Sequence, residues 1–143
     1  MNQGGERAVS TEGRDLEKPT LPVCLFLIPI VRDSDRKPHP SIVWRLLQDA
    51  LLNTFSGASG PEEVVYYRTP DPVKGSWTPG AGQAPIEDRS RKYTVAIPEA
   101  RVDELRSLLR KAGNSFDQQV MYLEVAGYAE FLTVRPDDGF LDE

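Results

Sequence analysis

Six consecutive apolar residues, Val23-Cys24-Leu25-Phe26-Leu27-Ile28, constrain this chain more than any other feature. A strand with one face in water alternates apolar and polar residues. An unbroken apolar run belongs to a strand covered on both faces, or central in its sheet. The 143 residues suffice for a single core. The rest of the sequence can therefore be read as what surrounds this strand.

From Ser41 the apolar period changes. Ile42, Val43, Leu46, Leu47, Ala50, Leu51 and Phe55 recur at three- and four-residue steps, which predicts an amphipathic helix. Pro40 suits its first turn and Gly57 can supply the left-handed residue that stops it. Val64-Val65-Tyr66-Tyr67 has the composition of a strand, and Tyr93 to Ile97 alternates like one. Between them Thr69 to Pro85 is a long loop rich in Pro and Gly. Pro98 and Glu99 open a second helix with the stripe Val102, Leu105, Leu108, Leu109 and Ala112, which Arg110, Lys111 and Gly113 close. Val120 to Val125, a turn at Ala126-Gly127 and Tyr128 to Val134 complete a last hairpin.

This order predicts an α+β fold, the ferredoxin-like βαββαβ sandwich with an additional C-terminal strand and two helices on one face of an antiparallel sheet. The competing architecture is a mixed sheet with the last hairpin at its edge. Residues 1–20, polar and without apolar period, read as a disordered leader; 21–135 form a single domain, and 136–143 an acidic tail on which Phe140 and Leu141 can dock. The apolar stretch from Leu21 to Val31 is too short to span a bilayer and holds Pro22 and Pro29, so a cytoplasmic protein without membrane contact is expected.

Composition removes several function classes. The chain has one Cys and one His, so no intrachain disulfide and no Cys/His zinc set can be assembled; neither metal nor cofactor is expected. A net charge of −5 argues against a nucleic-acid partner. Cys24, inside the apolar run, reads as a small buried hydrophobe, and His39 as a surface or capping residue at the first helix.

Four places remain for chemistry. Trp77 lies in the Gly-rich loop, where a bulky aromatic has no periodic reason to be, and can serve as a stacking surface. In an extended Glu87 to Lys92 segment, Asp88, Ser90 and Lys92 share one face, a row of acid, hydroxyl and amine able to hold a polar ligand. Arg89, Arg91 and Lys92 also permit an anion-binding reading, although no glycine-rich loop leads into a helix here. Gln118 offers an amide near the same end. Finally, a two-residue turn at Ala126-Gly127 puts Glu130 opposite Leu123 on an apolar face. There its pKa would rise unless a cation answers it, which suits general acid–base work.

Gly75-x-Trp77, Asp88-x-Ser90 opening a strand, then a helix and Phe116-x-Gln118 before a strand resemble a pattern in small bacterial proteins, a family of ferredoxin-like domains of unknown function. The resemblance implies the same sandwich and no established activity. The run Arg89, Arg91, Lys92 and the final hairpin depart from it.

The function expected from these readings is a non-enzymatic module that binds a small polar ligand or a protein partner. Its site comprises Trp77, Asp88, Ser90, Lys92 and Gln118. A homodimer is expected through the helix-free sheet face, with Tyr66, Tyr93 and Tyr122 as contacts. The alternative is a small metal-independent lyase or isomerase using Glu130 or Asp88.

Overall fold

The computed structural model describes residues 21–55, 58–68 and 86–142. Trp77, its loop and Gly57 lie outside the described residues. Strands β1 (Val23–Pro29), β2 (Ser59–Arg68), β3 (Ile86–Ala96), β4 (Val120–Val125) and β5 (Tyr128–Thr133) form one sheet in the order β2-β3-β1-β4-β5. Every adjacent pair is antiparallel. Helices α1 (Ser41–Phe55) and α2 (Val102–Ser115) connect β1 to β2 and β3 to β4. This is the ferredoxin-like arrangement with one strand added beyond β4. The last hairpin does form an edge, but of an antiparallel sheet rather than a mixed one.

β1 is central, as its apolar run requires, yet its two faces differ. Cys24, Phe26 and Ile28 are fully buried beneath the helices, while Leu25 on the opposite face is only partly covered. The core continues through Tyr93 and Val95 of β3, Met121 and Leu123 of β4, Leu47, Leu51 and Phe55 of α1, and Leu105 and Leu109 of α2. All five apolar positions expected for α2 are buried. On α1 the stripe is rotated. Ile42 is exposed, whereas Trp44, absent from the expected set, packs against the core in step with Leu47, Leu51 and Phe55.

Two strands, β2 and β3, extend beyond their apolar segments. β3 takes in the charged stretch Glu87 to Lys92 because it has a partner on each side: Arg91 lies opposite Ile28 and Glu63, and Lys92 opposite Leu27 and Glu62. Ladder pairing overrides the low strand propensity of these residues. Gly113 does not end α2 as expected. It lies within the helix, where an added Cβ would collide with Val134 and crowd Met121, so the glycine permits close approach of the chain after β5. At the hairpin turn Ala126 and Gly127 both have positive φ, 50° and 90°, which the tight connection demands. The acidic end folds back onto α2: Asn114 Nδ2 donates to the Arg135 and Gly139 carbonyls, Leu141 N–H to Ser115 Oγ, and Leu141 packs against the core.

Candidate ligand cleft on the open sheet face

Directly opposed residues of an antiparallel ladder share a face. The register therefore sorts the expected site residues without reference to side-chain detail. Asp88, Ser90 and Lys92 of β3 stand on the face away from the helices, together with Leu27 and Pro29 of β1 and Tyr122 of β4. Glu130 stands on the helix-covered face, opposite Leu123.

A cleft of about 290 Å³ opens on the helix-free face. Leu27, Pro29, Val120, Tyr122 and Phe131 provide its apolar surface, with the Tyr122 and Phe131 rings edge to face at 5.5 Å. Asp88, Ser90 and Gln118 form a polar wall, and Asp33 and Arg36 overhang from the segment between β1 and α1.

That overhang is built by reciprocal bonds to the α2–β4 connection. Asp33 N–H donates to the Asp117 carbonyl at 3.0 Å, Ser34 N–H to Asp117 Oδ2 at 2.9 Å, and Gln119 N–H to Asp33 Oδ2 at 2.9 Å. The donors on Ser34 hold the Asp117 carboxyl below its ordinary range. Gln118 Nε2 donates to Val31 O at 2.9 Å and Phe116 O at 3.0 Å. Its amide protons are thereby used within the fold, so a ligand would meet its carboxamide oxygen. Arg36, in a left-handed conformation at φ 60°, carries its guanidinium to 3.9 Å from Asp88 Oδ1.

Of the expected ligand set, Asp88, Ser90 and Gln118 meet in one cleft. Lys92 does not line it. Two residues further along β3, it sits opposite Glu62 and reaches that carboxylate at 3.7 Å. The basic run is divided between faces: Arg91 lies on the helix side with its guanidinium 4.2 Å from the Trp44 ring centroid, so the three cations do not form one anion site. Tyr93 is also not on the open face but in the core, stacked on Phe26 at 5.2 Å. Sequence reading missed Asp33 and Arg36. The charged segment from Arg32 to Lys37 has no period, and only the folded connection to Asp117 and Gln119 brings it over the sheet.

Glu130 is corrected in its chemistry. Arg106, from α2, donates Nε–H and Nη2–H to its two carboxylate oxygens at 2.8 and 2.7 Å. This bidentate pairing pulls the Glu130 pKa down rather than up. A carboxylate so held is ionised and cannot act as a general acid.

His39 is also not a surface residue. It is buried edge-on to Trp44 and Phe116, its Nε2 is 2.8 Å from the Pro29 carbonyl, and its Nδ1 has no hydrogen-bond partner among the described residues. Desolvation lowers its pKa. Burial likewise raises that of the Cys24 thiol, which matches an inert core cysteine rather than a nucleophile. Among the described residues, no group of three or more His, Cys, Asp or Glu side chains is placed to hold a metal, and no helix is long and apolar enough to cross a membrane.

No family model and no curated protein matches this sequence. Among solved structures, a phage SAM lyase in complex with S-methyl-5'-thioadenosine is 12% identical with a TM-score of 0.45, over 81% of this chain and 92% of that one. A phage SAM lyase in its apo state is 10% identical with a TM-score of 0.46, over 81% and 91%.

Proposed function

We propose that this protein binds a small polar ligand in the cleft on the open face of its sheet. The observation carrying this reading is the convergence of Asp88, Ser90 and Gln118, from two separate segments, beside the apolar surface of Leu27, Tyr122 and Phe131. An apolar floor with a few placed polar groups is the usual composition of a small-molecule site, and about 290 Å³ lies near the lower end of such clefts. The test is a fragment titration of the isotope-labelled full chain followed by amide NMR. Shifts confined to Ser90, Gln118, Tyr122 and their neighbours support the reading. Fragments that bind only elsewhere, or not at all, remove it.

The enzymatic alternative retains one of its two carboxylates. Asp88 lines the cleft with its side chain 11% exposed, whereas Glu130 is committed to Arg106. A metal-independent lyase or isomerase acting through Asp88 would turn over a cleft-bound ligand. An Asp88→Asn variant that binds the same ligand without converting it would support that role.

A second copy of the chain is the partner we propose for the rim of this face. Phe131 is 62% exposed beside the half-exposed Val120, and a partner covering them would roof the cleft. Of the three expected tyrosine contacts, Tyr93 is in the core and the Tyr66 side chain lies outside the described residues, so Tyr122 is the one this dimer would use. Light scattering that shows a dimer weakened by Phe131→Asp supports it; a monomer at micromolar concentration counts against it.

A further inference from the structure

We propose that a second copy of this chain attaches along the outer edge of β5, so that the two five-stranded sheets join into one continuous sheet. This rests on the reading that a second copy covers Phe131, and names the contact by which it does so.

The two edges of the sheet are built differently. On β2, at one edge, Pro61 has no N–H to offer, Glu62 and Glu63 bring charge, and the pairing register shifts between Ser59 and Glu62. These are the devices by which natural sheets prevent edge pairing. β5, at the other edge, has neither proline nor lysine, and it pairs with β4 in unbroken register from Tyr128 to Thr133. Its one charged residue, Glu130, is answered by Arg106 of the same chain. Among the described residues no strand pairs with its outer side.

The hydrogen-bond phase sets which backbone groups this edge presents. Val134 N–H donates to the Gln119 carbonyl at 3.0 Å, and bonded and non-bonded pairs alternate along an antiparallel ladder. Tyr128, Glu130 and Leu132 therefore bond to β4, while Ala129, Phe131 and Thr133 turn N–H and C=O outward. Three outward residues at alternate positions are self-complementary about a two-fold axis at Phe131. Phe131 then faces the partner's Phe131 and Ala129 faces the partner's Thr133, each pair exchanging two hydrogen bonds. Centring the axis on Glu130 would instead oppose two like carboxylates. On the open face the two Phe131 rings, each 62% exposed in a single copy, meet beside the Tyr122 rings that they already touch edge to face. An aromatic row thus crosses the joint. A two-fold contact closes on itself, whereas β5 against β2 would leave edges open and grow into a filament.

The test is amide hydrogen exchange of the full chain by NMR over a concentration series, with light scattering on the same samples. The Ala129, Phe131 and Thr133 amides are expected to exchange about tenfold or more slowly in the dimer than in the dilute monomer. A dimer in which these three amides exchange freely overturns the edge contact and leaves the second-copy reading standing; a monomer at every concentration removes both. Paired substitutions at two exposed positions of the open face fix the register. Ala129→Lys with Thr133→Lys sets like charges opposite one another and should dissociate the dimer, whereas Ala129→Lys with Thr133→Glu sets opposite charges there and should keep it. Dissociation of both folded variants, or of neither, overturns the pairing about Phe131.

Discussion

The two faces of the sheet handle the same residue types differently. Under the helices, three charged or polar side chains are taken up by the fold: Glu130 by Arg106, Arg91 by the Trp44 ring, and His39 by the Pro29 carbonyl and two aromatic rings. On the open face, Asp88 and Ser90 point into a cleft whose aromatic floor is partly in water. A carboxylate beside apolar residues is therefore not in itself a sign of chemistry. The two carboxylates differ in how closely a cation is held: α2 brings Arg106 to 2.7 Å from Glu130, whereas Arg36 pairs with Asp88 at 3.9 Å.

The contrast can be broken most forcefully with two phenylalanines. Phe26→Ala, under the helices and stacked on Tyr93, should cost about 3–5 kcal/mol in denaturant unfolding. Phe131→Ala, on the open face, should stay within about 0.5 kcal/mol of wild type. Comparable losses at both would mean that the open face is as much a structural core as the covered one.

The Glu130–Arg106 pair sharpens the comparison next. Both side chains are about seven-tenths buried, so Glu130→Gln should cost about 1–2 kcal/mol at neutral pH, after allowance for residual solvent screening. The folded carboxyl has a lowered pKa, so its stabilisation is complete above the unfolded value. It is lost as pH falls through the folded one, because the unfolded chain takes up the proton first. Below about pH 4.5, the ordinary value for Glu, wild type and Glu130→Gln should converge in urea unfolding. Curves that stay parallel would contradict the ion-pair account.

A smaller effect is expected at His39. Its folded pKa is lowered, so the neutral ring is favoured in the fold and the unfolded chain binds the proton more readily. Stability should fall as pH drops below about 6.5, by at most about 1.4 kcal/mol per pH unit, and level off under the folded pKa. As the chain has a single histidine, its ring resonances can be followed directly by NMR. A midpoint at or above 6.5 would show that the site is wetter than its Trp44 and Phe116 contacts imply.

Most of the architecture could be read from apolar periodicity. β1, α2 and the hairpin follow from side-chain spacing alone, and the opposition of Leu123 and Glu130 follows from a two-residue turn. What escaped is what depends on partners. Arg106 answers Glu130 across 24 positions, and no pattern in either segment announces it. Trp44 was absent from the α1 stripe because that helix is apolar over a wide arc, and packing selects the buried edge. Asp88 and Ser90 were legible as a polar pair because strand alternation fixes their common side, and Gln118 because it precedes a strand at the same end. Asp33 and Arg36 were not, since the charged segment after β1 has no period and is placed by hydrogen bonds to Asp117 and Gln119.

The central claim, that Asp88 serves a ligand while Glu130 serves the fold, is tested most directly by measuring thermal stability and cleft-fragment affinity for Asp88→Asn and Glu130→Gln side by side. The expected result is a dissociation: Asp88→Asn loses affinity and lowers the melting temperature less than Glu130→Gln does, and Glu130→Gln loses several degrees and keeps affinity. The opposite pattern, or variants that lose both properties together, would contradict it.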